Sequence, residues 1–218
     1  MAHRRQIHFR ERSVASRLKV TGGSIAGIIL SGGASRRMGT PKALLQFQSE
    51  TFLDRLIRVF SAVCHPIIVV VGQHADRIQS GIERGRDVLF AVNPDPERGM
   101  LSSLQCGLDL VPPGAEAAMF LPVDHPHIEV STIETLAACF YADRAPVTVP
   151  TYAGDHGHPV CIARPLIAEL LALPPEAKAS DVIHRHVSKT LYIEIADPAV
   201  VTDVDDPAAY ADLLARHS

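Results

Sequence analysis

The stretch Leu30-Ser-Gly-Gly-Ala-Ser-Arg-Arg-Met-Gly-Thr-Pro-Lys42 follows directly on the apolar run Ile25-Ala-Gly-Ile-Ile-Leu30. The apolar run is short and rich in β-branched residues, which predicts a buried strand rather than a helix. Two adjacent glycines come after this strand, followed by three basic side chains within seven residues. A glycine-rich, cationic loop at the end of a strand is suited to binding the phosphates of a nucleotide.

The residues of this loop supply different kinds of contact. Gly32 and Gly33 let backbone N–H groups approach an anion without a Cβ in the way. Arg37 offers a planar fork of donors and Lys42 a point charge. The loop matches neither the P-loop nor the dinucleotide fingerprint, because the next glycine is Gly39 and the lysine does not follow a glycine. The alternative is a mobile surface loop that happens to be basic.

Composition narrows the class of protein. The chain has 218 residues, of which 47% are hydrophobic, and residues 24–218 are expected to form one domain. A net charge of −3 argues against a nucleic-acid or membrane-surface partner, because both favour basic proteins. No apolar run approaches the length of a membrane span. Four scattered cysteines without a Cys-x-x-Cys pair favour reduced thiols and a cytoplasmic protein.

Residues 1–23 differ in composition from the rest of the chain. They contain six arginines and lysines but only one acidic residue, Glu11, and they have no apolar segment typical of a secretory signal. We predict a disordered basic tail here. An amphipathic targeting peptide is the alternative.

Strand-like and helix-like patterns alternate from residue 25 onward, and Thr51 is placed to cap the first helix. The predicted strands are 25–30, 66–71, 88–92, 117–123, 146–152, 160–163 and 190–195, with a short extended piece over 43–47. The predicted helices are 51–63, 75–84, 100–110, 131–142, 165–173, 180–187 and 207–216. This alternation predicts an α/β fold with a Rossmann-like, doubly wound, mostly parallel sheet.

Polar residues stand where several of these strands end. Asn93 ends one predicted strand and Asp124 ends another, in Phe120-Leu-Pro-Val-Asp124. On a doubly wound sheet the carboxyl ends of parallel strands face one crevice, so these residues should meet the cationic loop there. A carboxylate beside bound phosphates is suited to holding a divalent cation, although a lone acid in this position can also cap a helix.

A second acidic cluster precedes the last helix, in Val201-Thr-Asp-Val-Asp-Asp-Pro207. Three acids before a proline can simply cap a helix whose first residue is that proline. A second metal ligand is the other interpretation, and we select Asp205 over Asp203 for it.

The loop over residues 30–42 resembles the signature of the MobA-like nucleotidyltransferases, especially the molybdenum cofactor cytidylyltransferases and guanylyltransferases. Four further motifs follow in the same order, so the resemblance covers about residues 24–216. These motifs are Asn93…Gly99-Met-Leu-Ser-Ser-Leu-Gln-Cys-Gly-Leu108, Leu121-Pro-Val-Asp124-His-Pro126, Gly157-His-Pro159 and Asp203-Val-Asp-Asp-Pro-Ala-Ala-Tyr210.

The resemblance implies a fold of the nucleotide-diphospho-sugar transferase type and transfer of a nucleotide monophosphate to a phosphorylated acceptor, with release of pyrophosphate. It implies catalytic roles for Arg37, Lys42 and Asp124, binding of Mg²⁺ by Asp124 with Asp205, and a place for His158 on the acceptor side. The residues implied to bind the nucleotide are Leu30, Gly32, Gly33, Arg37, Lys42, Asn93, Ser102 and Ser103.

The partners implied are CTP, favoured by the Gly-Met-Leu-Ser-Ser-Leu motif, or GTP, favoured by Leu-Ser-Gly-Gly. A phosphorylated pterin of the molybdopterin type is the implied acceptor, and a molybdoenzyme or its chaperone could receive the product. His125 stands where a methionine or glutamine is more usual. Two rivals remain, namely transfer to a sugar phosphate or other small phosphate, and a cofactor-binding chaperone without turnover.

Three His-x-His pairs could suggest a zinc site. A pair at i and i+2 shares one face only on a strand, and none has a nearby cysteine. We expect ordinary solvent-facing or substrate-facing histidines. The pairs are His125/His127, His156/His158 and His184/His186.

Overall fold

The computed structural model describes residues 6–8, 23–33 and 35–217. Within these ranges the strands are β1 (Gln6–His8), β2 (Ile25–Ser31), β3 (Gln46–Phe47), β4 (Glu50–Thr51), β5 (Cys64–Val71), β6 (Leu89–Val92), β7 (Ala117–Pro122), β8 (Val147–Tyr152), β9 (Asp155–His156), β10 (Val160–Ala163) and β11 (Leu191–Glu194). The helices are α1 (Phe52–Ser61), α2 (Ala75–Gly81), α3 (Met100–Asp109), α4 (Val130–Asp143), α5 (Arg164–Leu171), α6 (Ala179–Arg185) and α7 (Pro207–Arg216).

One sheet in the order β1-β11-β8-β10-β7-β2-β5-β6 forms the centre of the fold. Strand β2 is buried along its whole length, and its side chains alternate between two cores. Ile29 packs on one face with α1 and α4, while Ile28 and Leu30 pack on the other with α3 and α5. Burial on both faces explains the nearly continuous apolar run. The predicted doubly wound, mostly parallel α/β fold is confirmed.

Strands β9 and β10 depart from the parallel order, because β10 runs antiparallel to both β7 and β8 and β9 runs antiparallel to β8. Only residues 153–159 connect β8 to β10, and this segment includes the short strand β9. A parallel pair needs a crossover of about a dozen residues or more, so a connection of this length forces the antiparallel arrangement. The sheet is therefore mixed at this point.

The predicted elements agree with the structure to within a few residues, and Thr51 caps α1 through a 3.0 Å hydrogen bond that its Oγ1 accepts from the N–H of Asp54. The extended piece predicted over 43–47 is wrong in its first half, because Lys42–Leu44 form a 3-10 turn. The β3–β4 hairpin, with Gln48 at a φ of 58°, was not predicted. Strands of two residues carry no readable periodicity.

Most of the predicted tail over residues 1–23 lies outside the described part of the chain. The exceptions are Gly23 and β1, which pairs in parallel with β11 at one edge of the sheet. The disorder of the tail stays a prediction. In the ranges that the structure describes, no helix has both the length and the apolar character needed to cross a membrane.

His127 makes the stability of the fold dependent on pH. Burial lowers its pKa to about 4, although Asp197 opposes the shift. Its Nδ1 has no hydrogen-bond partner within the described residues. The folded protein therefore favours the neutral ring, and this contribution to stability is complete above pH 6.5 and is lost as the pH falls towards 4.

We expect the free energy of unfolding to drop less steeply between pH 7 and pH 4.5 in His127→Leu than in the wild type. The difference should be about 2 kcal/mol, because burial lowers the pKa of His127 from its ordinary 6.5 to about 4. Urea denaturation at the two pH values measures it. Equal drops in both proteins would show that this histidine does not sense pH.

Candidate functional site

A cleft of about 490 Å³ opens at the carboxyl edge of the sheet, beyond the ends of β2 and β7. Its walls come from the loop 31–42, the segment 96–103, residues 122–124 and Asp205. This volume falls within the range of small-molecule sites. The loop, the end of β7 and the acidic cluster therefore meet where the strand pattern predicted a crevice.

The two glycines of the loop meet different requirements. A Cβ on Gly32 would lie 2.8 Å from Oγ of Ser103, and one on Gly72 would lie 2.6 Å from the carbonyl oxygen of Gly32. Only bare backbone fits between β5 and α3 at this point. A side chain at Gly33 would meet no atom within 4 Å. Gly33 is therefore open to the cleft, whereas Gly32 is required for packing.

Asn93 organises the start of α3. Its side chain is buried, and its Nδ2 donates to Oγ of Ser102 at 2.9 Å and to Oγ of Ser103 at 3.0 Å. The hydroxyl of Ser102 donates in turn to the carbonyl oxygen of Gly99 at 2.8 Å. Ser103 lines the cleft, whereas Asn93 and Ser102 lie behind it and fix its position.

Lys42 connects two carboxylates that are far apart in the sequence. Its Nζ donates to Oδ2 of Asp124 at 3.0 Å and to Oδ1 of Asp205 at 2.7 Å. The guanidinium of Arg37 donates to the other oxygen of Asp205 at 3.2 Å. An ammonium group has three donors, so Lys42 retains one for a ligand oxygen.

The charges of this cluster reinforce one another. Burial alone would lower the pKa of Lys42, but the hydrogen bonds and charges of Asp205 and Asp124 raise it overall. The hydrogen bond from Lys42 lowers the pKa of Asp205, and Arg37 adds to the effect. Lys42 is therefore a full cation and Asp205 a full anion at neutral pH.

Different residues of the acidic cluster before α7 cap the helix and face the cleft. Oδ1 of Asp206 accepts hydrogen bonds from the N–H groups of Ala208 and Ala209 and so caps α7. Asp205 faces the cleft, while Asp203 is exposed and does not line it. The capping interpretation therefore applies to Asp206. Metal binding by Asp205 stays a prediction.

The carboxylates of Asp124 and Asp205 fit a divalent cation. Both converge on the same positive charge, that of Lys42, and carboxylate oxygens are the ligands that Mg²⁺ prefers. No group of three His, Cys, Asp or Glu side chains that could hold a metal ion occurs in the described ranges. Nδ1 of His125 faces the carbonyl oxygen of Ala199 at 3.0 Å, so this nitrogen is not available to a metal ion.

His158 is a further predicted site residue outside the cleft, although the charge of Asp124 acts on its ring. Its ring lies 5.4 Å from the ring of His125 and 6.2 Å from that of Phe120, and it does not line the cleft. Burial lowers its pKa to about 4, so the ring is neutral at pH 7. Its place on the acceptor side stays a prediction. The predicted residues that do line the cleft are Leu30, Gly32, Gly33, Arg37, Lys42, Ser103, Asp124 and Asp205.

An ion pair across the mouth of the cleft was not predicted. The guanidinium of Arg36 lies 2.8 Å from Oε1 of Glu97, and both side chains are more than half exposed. The pair joins the cationic loop to the segment before α3. The two residues are 61 positions apart, so the only signal in the sequence is their opposite charge.

A model of the MobA-like NTP transferase domain matches residues 27–190, three quarters of the chain. The chain belongs to this family. As a MobA-like NTP transferase it is a nucleotidyltransferase, which confirms the predicted family and class of enzyme.

Individual relatives of this MobA-like NTP transferase agree with the family. The molybdenum cofactor cytidylyltransferase of Escherichia coli K12 is 24% identical over 193 residues, which are 88% of this chain and 96% of the relative. A probable molybdenum cofactor guanylyltransferase of Bacillus cytotoxicus is 36% identical over 118 residues, 52% of this chain and 55% of the relative.

Solved structures also resemble the chain. Rv0371c from Mycobacterium tuberculosis H37Rv is 25% identical, with a TM-score of 0.78, over 89% of this chain and all of the other. The same protein in complex with manganese superposes with a TM-score of 0.72, over 88% and 98% of the two chains.

Proposed function

We propose that the chain transfers CMP, or alternatively GMP, from an NTP to the phosphate of a molybdopterin-type acceptor in a Mg²⁺-dependent reaction that releases pyrophosphate. The observation that carries this proposal is the convergence of Lys42, Arg37, Asp124 and Asp205 in one cleft at the carboxyl edge of the sheet. The names of the E. coli and B. cytotoxicus relatives support the molybdenum cofactor as acceptor, and they leave both bases open.

The two ends of the cleft differ in the side chains at the strand ends behind them. Asp124 follows β7 on one side of β2, whereas Asn93 follows β6, two strands away on the other side. We assign the triphosphate to the end with Arg37 and Lys42, and the base to the end with Ser103. Ionised side chains line the first end, and a hydroxyl fixed by neutral hydrogen bonds lines the second.

The reaction needs positioning and charge more than it needs a protein nucleophile. An oxygen of the acceptor phosphate forms a bond to the α-phosphorus, while the bond from that phosphorus to the pyrophosphate oxygen breaks in line. Arg37 and Lys42 hold and orient the triphosphate and offset the negative charge that accumulates.

Asp124 and Asp205 would hold the magnesium ion. When bound, Mg²⁺ neutralises charge on the phosphates and fixes their geometry. The mycobacterial protein Rv0371c has been solved in complex with manganese, and this supports the proposal that a divalent cation takes part here. A phosphorylated pterin, and a molybdoenzyme or its chaperone that receives the product, complete the proposed partners.

Pyrophosphate release tests the proposal. Purified protein, Mg²⁺ and molybdopterin carrying molybdenum are combined with CTP, GTP, ATP or UTP in turn. Release with CTP or GTP alone supports the proposal and identifies the base. Confirmed NTP binding without release would show that the proposed acceptor is wrong. Sugar phosphates and other small phosphates would then be tested as acceptors.

The Arg36–Glu97 pair should compete with the triphosphate for Arg36. We therefore expect Glu97→Gln to bind NTP about two- to fivefold more tightly, in keeping with the modest strength of an exposed ion pair. Titration calorimetry at low and moderate salt measures this gain, which should shrink as salt screens the charges.

Glu83 provides the matched control, because it is an exposed glutamate outside the cleft. Glu83→Gln removes the same charge and should leave NTP affinity within about twofold of the wild type. If Arg36→Gln does not remove the gain seen in Glu97→Gln, the two residues do not compete in this way.

A further inference from the structure

His125 follows Asp124 directly, yet it takes no part in the cleft. Its side chain is only 6% exposed and is absent from the cleft lining. Its Nδ1 lies 3.0 Å from the carbonyl oxygen of Ala199. A carbonyl oxygen can only accept, so Nδ1 carries the proton and donates it. The imidazole is therefore directed at the chain between β11 and α7.

That chain, the segment 197–205, carries Asp205 and contains a short 3-10 turn but no strand. Its N-terminal end is held by Asp197, whose carboxylate accepts from the hydroxyl of Thr132 at 2.7 Å. Near its C-terminal end, the N–H of Val204 donates to the carbonyl oxygen of Asp124 at 2.8 Å. The contact of His125 with Ala199 lies between these two attachments.

Ala199 itself is fully buried. Without the imidazole, its carbonyl oxygen would lose its 3.0 Å donor and keep the longer hydrogen bond from the N–H of Thr202, at 3.4 Å. A buried acceptor that loses its shorter hydrogen bond is costly, so the segment would favour a position closer to solvent. Asp205 lies six residues further along, and its carboxylate must stay within hydrogen-bond distance of Lys42.

We propose that His125 is a positioning residue, which holds the segment 197–205 against the Asp124 loop and thereby places the Asp205 carboxylate beside Lys42. His125 does not touch the nucleotide or the acceptor. The kinetic part of this inference rests on the proposed function, whereas the structural part does not. The unusual residue after Asp124 is thus explained by the protein's own chain and not by the acceptor.

Amide hydrogen exchange tests the structural part with three variants. His125→Leu removes the donor at similar volume, and His125→Asn keeps a donor close to the position of Nδ1. His127→Leu is the control, because it removes an imidazole two residues away whose Nδ1 has no partner among the described residues. In the segment 197–205 we expect exchange about tenfold faster in His125→Leu, and within about twofold of the wild type in the other two. Equal exchange in His125→Leu and His127→Leu would overturn the proposal.

A double-mutant cycle tests the kinetic part. His125→Leu should lower kcat/KM about tenfold in the wild type but less than about twofold in an Asp205→Asn background, because the carboxylate that it positions is then absent. A tenfold loss in both backgrounds would show that His125 acts by another route. If the wild type turns over no NTP, the proposed function fails. The hydrogen-exchange comparison then still decides whether His125 positions the segment 197–205.

Discussion

Replacing Asp124 with asparagine should lower turnover about a thousandfold, while NTP affinity falls by less than about tenfold. The substitution Asp124→Asn keeps the shape of the side chain but removes one of the two carboxylates that contact Lys42. The magnesium ion would keep a single carboxylate, whereas the cations that bind the triphosphate would all remain. Pyrophosphate release gives the turnover, and titration calorimetry gives the affinity.

Asp203 offers a matched control in the same part of the protein. It is exposed and lies two residues from Asp205 without lining the cleft. Asp203→Asn makes the same change in charge and should turn over within about twofold of the wild type. Normal turnover in Asp124→Asn would remove Asp124 from the metal site.

Replacing Lys42 with methionine should lower kcat about a hundredfold or more, with a smaller change in KM. This pattern follows if the ammonium acts mainly on charge that develops in the transition state. A change confined to KM would instead make Lys42 an anchor for the phosphates of the ground state.

The same variant should also be less stable. Without the ammonium, Asp124 loses its ion pair and Asp205 keeps only the one with Arg37, which should reduce the free energy of unfolding by about 1–2 kcal/mol, a modest figure because Asp205 is 43% exposed. Adding Mg²⁺ should restore more of the melting temperature in Lys42→Met than in the wild type, because a cation can then occupy the place of the ammonium. The exposed Lys189, as Lys189→Met, should show neither effect. Equal responses to Mg²⁺ in both proteins would contradict this picture.

The predictable parts of the fold are those in which burial requires a recognisable run of residues in a short stretch of sequence. Strands β2 and β5 are buried on both faces and read as apolar runs, and the loop after β2 is dense in glycine and charge. Asp124 could be placed because it ends such a strand. These features need only a short window of sequence.

The features that could not be predicted depend on contacts between distant segments. The ion pair of Arg36 with Glu97 and the hydrogen bond of His125 to Ala199 join residues 61 and 74 positions apart. The antiparallel course of β10 depends on the length of its connection and not on its composition. Hydrophobic periodicity contains no information about such contacts between distant residues. The distinction between Asp205 and its capping neighbour Asp206 likewise appears only once α7 is in place.

The contact between Lys42 and Asp205 spans 163 residues and so has a consequence for how the protein is made. During synthesis the cationic loop leaves the ribosome well before Asp205 does, because 163 positions separate Lys42 from Asp205. Until the segment 197–205 docks, the nascent chain presents Arg37 and part of the charge of Lys42 to the cell's free polyanions. Synthesis and docking of the segment 197–205 are thus the steps that mask this loop.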